Sequence, residues 1–209
     1  MSRFLALLGV LAICLLPAAA QSADQKLVVL GDSLSAGYQL DPEDAFPAQL
    51  QRILTERGYS VEVVNAGVSG DTSTGGLARL DWSVGDDVDA VIVELGANDA
   101  LRGISPEITY KNIEEITRRL RSRGIEVLLA GMIAPRNLGP DYANVFDPIY
   151  QEVAITHDAL LYPFFLEGVA LNPNLNLSDG MHPNANGVAV IVENILLKVE
   201  ELLAKAQSS

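Results

Sequence analysis

The chain is short of the residues on which several chemistries depend. Cysteine occurs once in 209 residues, at Cys14, and histidine twice, at His157 and His182. Cys14 falls in an amino-terminal run that reads as a removable leader, so the rest of the chain has no disulfide and no thiol nucleophile. Two histidines without an H-E-x-x-H pattern leave little material for a zinc site. Cations are scarce as well: 14 Lys and Arg stand against 27 Asp and Glu, for a formal net charge of −13. A surface that acidic repels phosphate backbones and disfavours a nucleic-acid partner. The apolar run Phe4–Leu16 falls short of the about 20 residues that a membrane-spanning helix needs.

What is present begins with that leader. Arg3 gives a positive start, Phe4–Leu16 an uncharged apolar stretch, and Pro17-Ala18-Ala19-Ala20 a small-residue cleavage site. This order defines a secretory signal peptide over residues 1–20 and leaves residues 21–209 as one domain. Loss of the leader removes Arg3 and takes the net charge from −13 to −14. The mature chain is expected outside the cytoplasm, with no stable membrane anchor. At 49% apolar and 20% charged residues, it has the composition of a globular protein.

Strand-like apolar runs alternate with segments of helical period. Strands are expected at Lys26–Leu30, Val61–Val64, Ala90–Leu95, Glu126–Ala130 and Ala159–Tyr162, with Glu94 the one break in the third. Helices are expected over Ala45–Arg57, from a Ser105 cap and Pro106 to Gly124, over Asn144–Thr156 and over Asn184–Lys205. Ile108, Ile113, Ile116 and Leu120 would form the inward stripe of the second helix. Val188, Ile191, Ile195, Val199 and Leu202 would form that of the last. Strands apolar on both faces, with helices between them, imply a parallel sheet covered on each side. The expected class is α/β, a three-layer αβα, doubly wound sheet of about five strands. Ligands bind such sheets beyond the carboxyl ends of the strands.

The first of those ends reads Gly31-Asp32-Ser33-Leu34-Ser35-Ala36-Gly37-Tyr38. Ser33 stands where a helix would start. Its hydroxyl is either presented beside free backbone N–H groups that suit an oxyanion, or is a helix cap. The second end, Asn65-Ala66-Gly67-Val68-Ser69-Gly70-Asp71-Thr72, has two glycines that suit a close approach to a ligand or an ordinary turn. The third, Gly96-Ala97-Asn98-Asp99, offers Asn98 as an amide donor or as a turn residue. Before the final helix, Ser178-Asp179-Gly180-Met181-His182-Pro183-Asn184 places a carboxylate three residues from an imidazole. That is near enough to fix its tautomer and stabilise its charged form. His157 has only Asp158 beside it and reads as structural. A candidate nucleophile, two donor-bearing loops and an acid–base pair thus fall on one edge of the sheet.

These blocks resemble those of the GDSL, or SGNH, serine hydrolases: Gly31-Asp32-Ser33-Leu34, Ser69-Gly70-Asp71, Gly96-Ala97-Asn98-Asp99 and Asp179-Gly180-Met181-His182, in order, over roughly Lys26 to Glu200. Val93–Asp99 and Gly70-Asp71-Thr72-Ser73 are most similar to the bacterial periplasmic thioesterase, arylesterase and lysophospholipase group. The resemblance implies a flavodoxin-like hydrolase domain over residues 21–209, with Ser33 as nucleophile, His182 as base and Asp179 orienting it. It implies an oxyanion hole made of the Ser33 N–H, the Gly70 N–H and the Asn98 side-chain amide, with Gly67 only shaping the turn. It implies a periplasmic enzyme, with the medium as alternative. The substrates would be small acyl esters and thioesters, including aryl esters and lysophospholipids. No cofactor or metal is implied, and a monomer is expected.

The G-x-S-x-G pattern of α/β-hydrolases is absent, and the candidate acid and base share one loop, which separates the two folds. Leu138, Tyr142 and Phe146, in the long stretch after the fourth strand, would line an acyl pocket, with core packing an equal alternative. Two other functions compete. One is a carbohydrate O-acetylesterase on the same fold. The other is a flavodoxin-like binding module whose serine-rich loop cradles phosphate; against it stand Asp32 and the lack of a G-x-G-x-x-G pattern.

Overall fold

Residues 24–208 are described by the structure, a computed structural model; the expected leader over residues 1–20 lies outside them. Five strands pair in parallel: β1 (Gln25–Gly31), β2 (Val61–Gly67), β3 (Ala90–Glu94), β4 (Glu126–Ala130) and β5 (Leu160–Tyr162). Their spatial order is β2-β1-β3-β4-β5. In chain order the helices are α1 (Ser33–Ala36), α2 (Phe46–Glu56), α3 (Ser73–Ala78), α4 (Leu80–Ser83), α5 (Ala97–Leu101), α6 (Pro106–Ser122), α7 (Pro140–Phe146), α8 (Ile149–His157) and α9 (Ala185–Ala206).

Burial explains the strand sequences. β1, β3 and β4 are buried along almost their whole length, and the edge strands β2 and β5 are half-exposed. Helices α2 and α9 pack together over one face, and α3, α6 and α8 over the other. With both faces covered, a middle strand has no solvent side to mark with polar residues. Phe46 of α2 meets Phe165 edge to face at 5.0 Å in this core. The whole expected stripe of α9, from Val188 to Leu202, is buried. Among the described residues, no helix is long and apolar enough to cross a membrane.

Three local expectations change. Ile108 is 46% exposed, and the inward position on α6 belongs to Thr109. A polar residue fits there because its hydroxyl reaches the Asp99 carboxylate at 3.2 Å. Ser105 holds the N-cap position of α6 as expected, but its hydroxyl makes no capping bond and turns to the Glu107 side chain. The helix expected over residues 144–156 is two, α7 and α8, parted at Asp147-Pro148, where proline has no N–H to carry the ladder on.

The register fixes where chemistry can occur. Gly31 lies level with Gly67 on one side and Glu94 on the other, so the loops after β1, β2 and β3 leave the sheet side by side. The chain runs from β1 outward to β2 and then returns past β1 to β3. Its direction of growth reverses between β1 and β3, and a crevice opens there at the carboxyl edge.

Candidate active site

Ser33 opens α1 in that crevice, but it is not the cap. Asp32 is: its Oδ1 accepts the Leu34 N–H at 3.0 Å. The Ser33 hydroxyl is thereby left for another partner, and its Oγ lies 2.9 Å from His182 Nε2. On the far side of the ring, His182 Nδ1 lies 2.6 Å from Asp179 Oδ2. The other Asp179 oxygen accepts the N–H groups of Met181 at 2.9 Å and His182 at 3.1 Å. Those two N–H groups, and then the imidazole, hold the Asp179 carboxyl down to about 2.

The loop that carries this pair is closed by its own backbone. Leu177 N–H donates to the His182 carbonyl at 2.7 Å, and Asn184 N–H to Leu175 at 2.9 Å. Asn184 then caps α9 through the Gly187 N–H. His182 is therefore fixed two residues ahead of the Asn184 cap of α9. The Tyr38 ring packs on the imidazole at 4.5 Å.

Asn98, on α5, donates from Nδ2 to Asp32 Oδ2 at 2.9 Å. Its neighbour Asp99 is fully buried and accepts the Ser73 N–H at 2.8 Å and the Ser73 hydroxyl at 2.5 Å. That ties α5 to α3, and so to the loop after β2. In the loop, Asp71 N–H donates to the Val68 carbonyl at 3.0 Å, closing a turn in which Gly70 has φ +82°. A side chain would be strained at that angle. Gly67, further back, approaches α1 so closely that a Cβ would overlap the Ala36 backbone. Its role is that approach, and Gly70 makes the turn.

Arg79 braces the same region. It bonds Asp71 Oδ2 at 2.7 Å, the Ala66 carbonyl at 2.8 Å and the Gly31 carbonyl at 2.9 Å. Beneath the nucleophile turn sits a carboxyl pair. Glu94 Oε2 accepts the Ser35 hydroxyl at 2.6 Å and the Asp32 N–H at 3.2 Å, while Oε1 has no hydrogen-bond partner. Burial, with the Asp32 charge, pushes the Glu94 carboxyl well above the usual range. Burial pushes Asp32 up to about 6 against the pull of Leu34 N–H, the Asn98 amide and His182. Both carboxyls are therefore easier to protonate than a free one, Glu94 because it is wholly buried beside Asp32.

Ser33, Asp179 and His182 are thus brought together, and Gly70 and Asn98 are set on the neighbouring loops. Phe146 is not a pocket residue. It is fully buried, stacked on Tyr142 at 5.8 Å and edge-on to Tyr150 at 6.2 Å, and it presents no surface to a ligand. Tyr142 is half-buried with its hydroxyl donating to the Ile104 carbonyl at 2.7 Å, and Leu138 is half-buried in the 3-10 turn Arg136–Leu138. His157 has a partner that local sequence hides: Glu114 of α6, at 2.9 Å. It ends α8 just before β5 begins, on the opposite edge of the sheet from the triad. The sequence alone gives Asp32, Glu94, Arg79 and Asp99 no part in building the site, although Asp32 and Asp99 stand inside the motif blocks and Glu94 is a lone carboxylate in an apolar strand.

The chain is similar in sequence and fold to known proteins. The family model for the GDSL-like Lipase/Acylhydrolase family matches residues 29–190. Esterase TesA of Pseudomonas aeruginosa is 42% identical over 202 residues, covering 96% of this chain and 100% of that protein. Thioesterase 1/protease 1/lysophospholipase L1 of Escherichia coli is 38% identical over 184 residues, covering 87% of this chain and 86% of that protein. A crystal structure of TesA superposes with a TM-score of 0.81 at 40% identity, over 85% of this chain and 99% of that one.

Proposed function

This chain belongs to the GDSL-like lipase/acylhydrolase family, and from that premise we propose that it hydrolyses small carboxylic esters and thioesters through an acyl-enzyme on Ser33. The observation that carries this is the relay from Ser33 Oγ to His182 Nε2 at 2.9 Å and from His182 Nδ1 to Asp179 at 2.6 Å. His182 takes the Ser33 proton as Oγ attacks the acyl carbonyl. Asp179, held as a carboxylate, fixes the tautomer and steadies the imidazolium. The Ser33 and Gly70 N–H groups and the Asn98 amide meet the oxyanion. Collapse of the tetrahedral adduct returns the proton from His182 to the leaving alcohol or thiol. Water, deprotonated by His182, then attacks the acyl carbonyl and releases the acid.

The substrate class rests on relatives whose names include esterase, thioesterase and lysophospholipase. Five exposed apolar residues lie on the segments that follow the carboxyl ends of the strands or flank His182: Tyr38 after α1, Val68 after β2, Leu101 on α5, Ile133 after β4 and Met181 beside His182. They suit an acyl chain lying across the crevice, with Leu138 and Tyr142 at its margin. The leader pattern supports export to the periplasm with residues 21–209 as the working domain. The relay argues against a phosphate-cradling module, and no feature of the site favours acetylated sugars over other esters.

An organophosphonate should label Ser33 and no other serine, and Ser33→Ala should fold normally with esterase activity near background. Wild-type-like turnover by Ser33→Ala would end this proposal.

A further inference from the structure

The three groups assigned to the oxyanion are held to different degrees. Ser33 N–H belongs to a capped helix, and the Asn98 amide is bound to Asp32. The third, Gly70 N–H, sits in a turn on an exposed loop, and among the described residues it has no protein acceptor. A free N–H is what an oxyanion donor needs, but a glycine is also the residue least able to hold its own orientation. The anchors on either side do not reach it. Val68 is tied to Gly31 through its N–H, and Asp71 to Val68 and to Arg79.

Arg102 supplies the missing hold. It closes α5 one turn after Asn98, its own N–H donating to the Asn98 carbonyl at 3.1 Å. Its guanidinium donates from Nη2 to the Gly70 carbonyl at 2.7 Å. One residue is therefore bonded through its backbone to Asn98 and through its side chain to Gly70. The side chain is exposed, and among the described residues it forms no ion pair with a carboxylate. In a chain with 27 acids and 14 bases, a cation spent on a glycine carbonyl needs a reason. A hydrogen bond from a charged donor is shorter and stronger than one between neutral groups. Arg102 holds the carbonyl side of the Gly70–Asp71 peptide and the bond from Asp71 N–H to Val68 holds its other side, so the plane next to the one that carries the Gly70 N–H is pinned at both faces and the swing of that N–H is narrowed.

We propose that Arg102 is a positioning residue of the oxyanion hole, clamping Gly70 so that its N–H stands ready beside the Asn98 amide. This rests on the acyl-enzyme reading above. Loss of the clamp leaves all three donors present and loosens one. The cost should therefore be smaller than the roughly 10²–10³ in kcat typical for a deleted donor, and about tenfold is expected. KM should hold, because the ground-state carbonyl carries little charge for the donor to meet.

The experiment compares wild type with Arg102→Met, Arg102→Lys and Ser33→Ala on a soluble aryl ester, with thermal melts and phosphonylation rates alongside. Arg102→Met should lose about tenfold in kcat with KM within about twofold and the melting temperature unchanged. Its rate of phosphonylation should fall in parallel, since that adduct also places an oxygen in the hole. Arg102→Lys, which keeps a charged donor, should recover much of the loss. Wild-type kcat in Arg102→Met overturns the clamp, as does a rise in KM alone, which would make Arg102 a substrate contact. A loss that tracks a lowered melting temperature and is not relieved by Lys overturns it too. Ser33→Ala separates the two claims: activity there ends the acyl-enzyme reading, whereas an inactive Ser33→Ala beside a fully active Arg102→Met removes the clamp alone.

Discussion

Asn98 is bound to Asp32 before any substrate arrives: its Nδ2 donates to Asp32 Oδ2 at 2.9 Å, and Oδ1 of the same carboxylate takes the Leu34 N–H at 3.0 Å. The residue that caps the nucleophile's helix thus also sets the plane of the amide. One of the two N–H groups on Nδ2 is spent, and the other is left for a reacting oxygen.

That arrangement makes Asn98 a test of transition-state binding. Asn98→Ala should lower kcat by about 10²–10³ and leave KM within a few-fold, because its partner charge exists only after attack. Asn98→Asp should be at least as damaging, since a carboxylate offers no donor and repels both the oxyanion and Asp32. Steady-state kinetics beside a thermal melt would decide. Normal kcat with a clearly lowered melting temperature would make Asn98 a turn residue.

Asp32 should leave a mark on stability. Its carboxyl is raised from 3.8 to about 6 in the fold, so between those values the native state holds a proton that the unfolded chain has lost. The resulting stabilisation is complete below 3.8; it is lost as pH rises through about 6 and amounts to on the order of 3 kcal/mol. Asp179, lowered to about 2, acts in a separate window: its contribution is present above 3.8 and is lost as pH falls through about 2. Melts between about pH 4 and pH 8 should show a downward slope in wild type, to which the raised Glu94 also contributes, and Asp32→Asn should make that slope shallower. Parallel curves would mean that Asp32 titrates normally. Asp32→Asn should also lower kcat, because its amide can present a donor to the Asn98 donor.

Glu94 should tolerate amidation and resist truncation. Gln matches the shape and neutrality of a protonated Glu, and its carbonyl can accept the Ser35 hydroxyl and the Asp32 N–H. Glu94→Gln should keep kcat within about threefold and gain stability relative to wild type at alkaline pH, where the raised Glu94 carboxyl must ionise in the core. Glu94→Ala strands two buried donors and should cost roughly 1–3 kcal/mol for each. A large loss of activity in Glu94→Gln, with a normal melt, would show that Glu94 works as an anion.

Phe146 and Ile133 should separate core from pocket. Phe146→Ala should cost about 3–5 kcal/mol of stability and leave the ranking of acyl lengths alone. Ile133→Ser should keep stability and penalise long acyl esters over acetyl, by roughly 0.8 kcal/mol per lost methylene contact. A graded ester series reads both, and a changed length preference in Phe146→Ala would return that residue to the pocket.

Ser33, Asp179 and His182 were legible because the strand rule points to the loops on which they lie and because Asp179 and His182 are three residues apart. Contacts between distant segments were not legible. Arg79 meets a backbone carbonyl 48 residues away and Arg102 one 32 residues away, and no side-chain pattern encodes a carbonyl. Thr109 was passed over for Ile108 because periodicity counts apolar residues, and a threonine satisfied by a buried Asp99 is invisible to it. Phe146 shows the opposite error: an apolar residue in a loop-like stretch looks the same whether it lines a cavity or fills the core. The three local revisions to α6 and α7–α8 left the strand order and the site edge untouched.

The closed loop from Leu175 to Asn184 has a consequence for biosynthesis. The proposed nucleophile and donors lie ahead of α6, yet the proposed acid and base come from a segment just ahead of α9, and that helix anchors the loop through Asn184. Before α9 has been made and folded, the chain holds Ser33 without the seated His182 that the proposed mechanism uses as base. On that reading, competence toward esters arrives only when α9 docks and closes the loop.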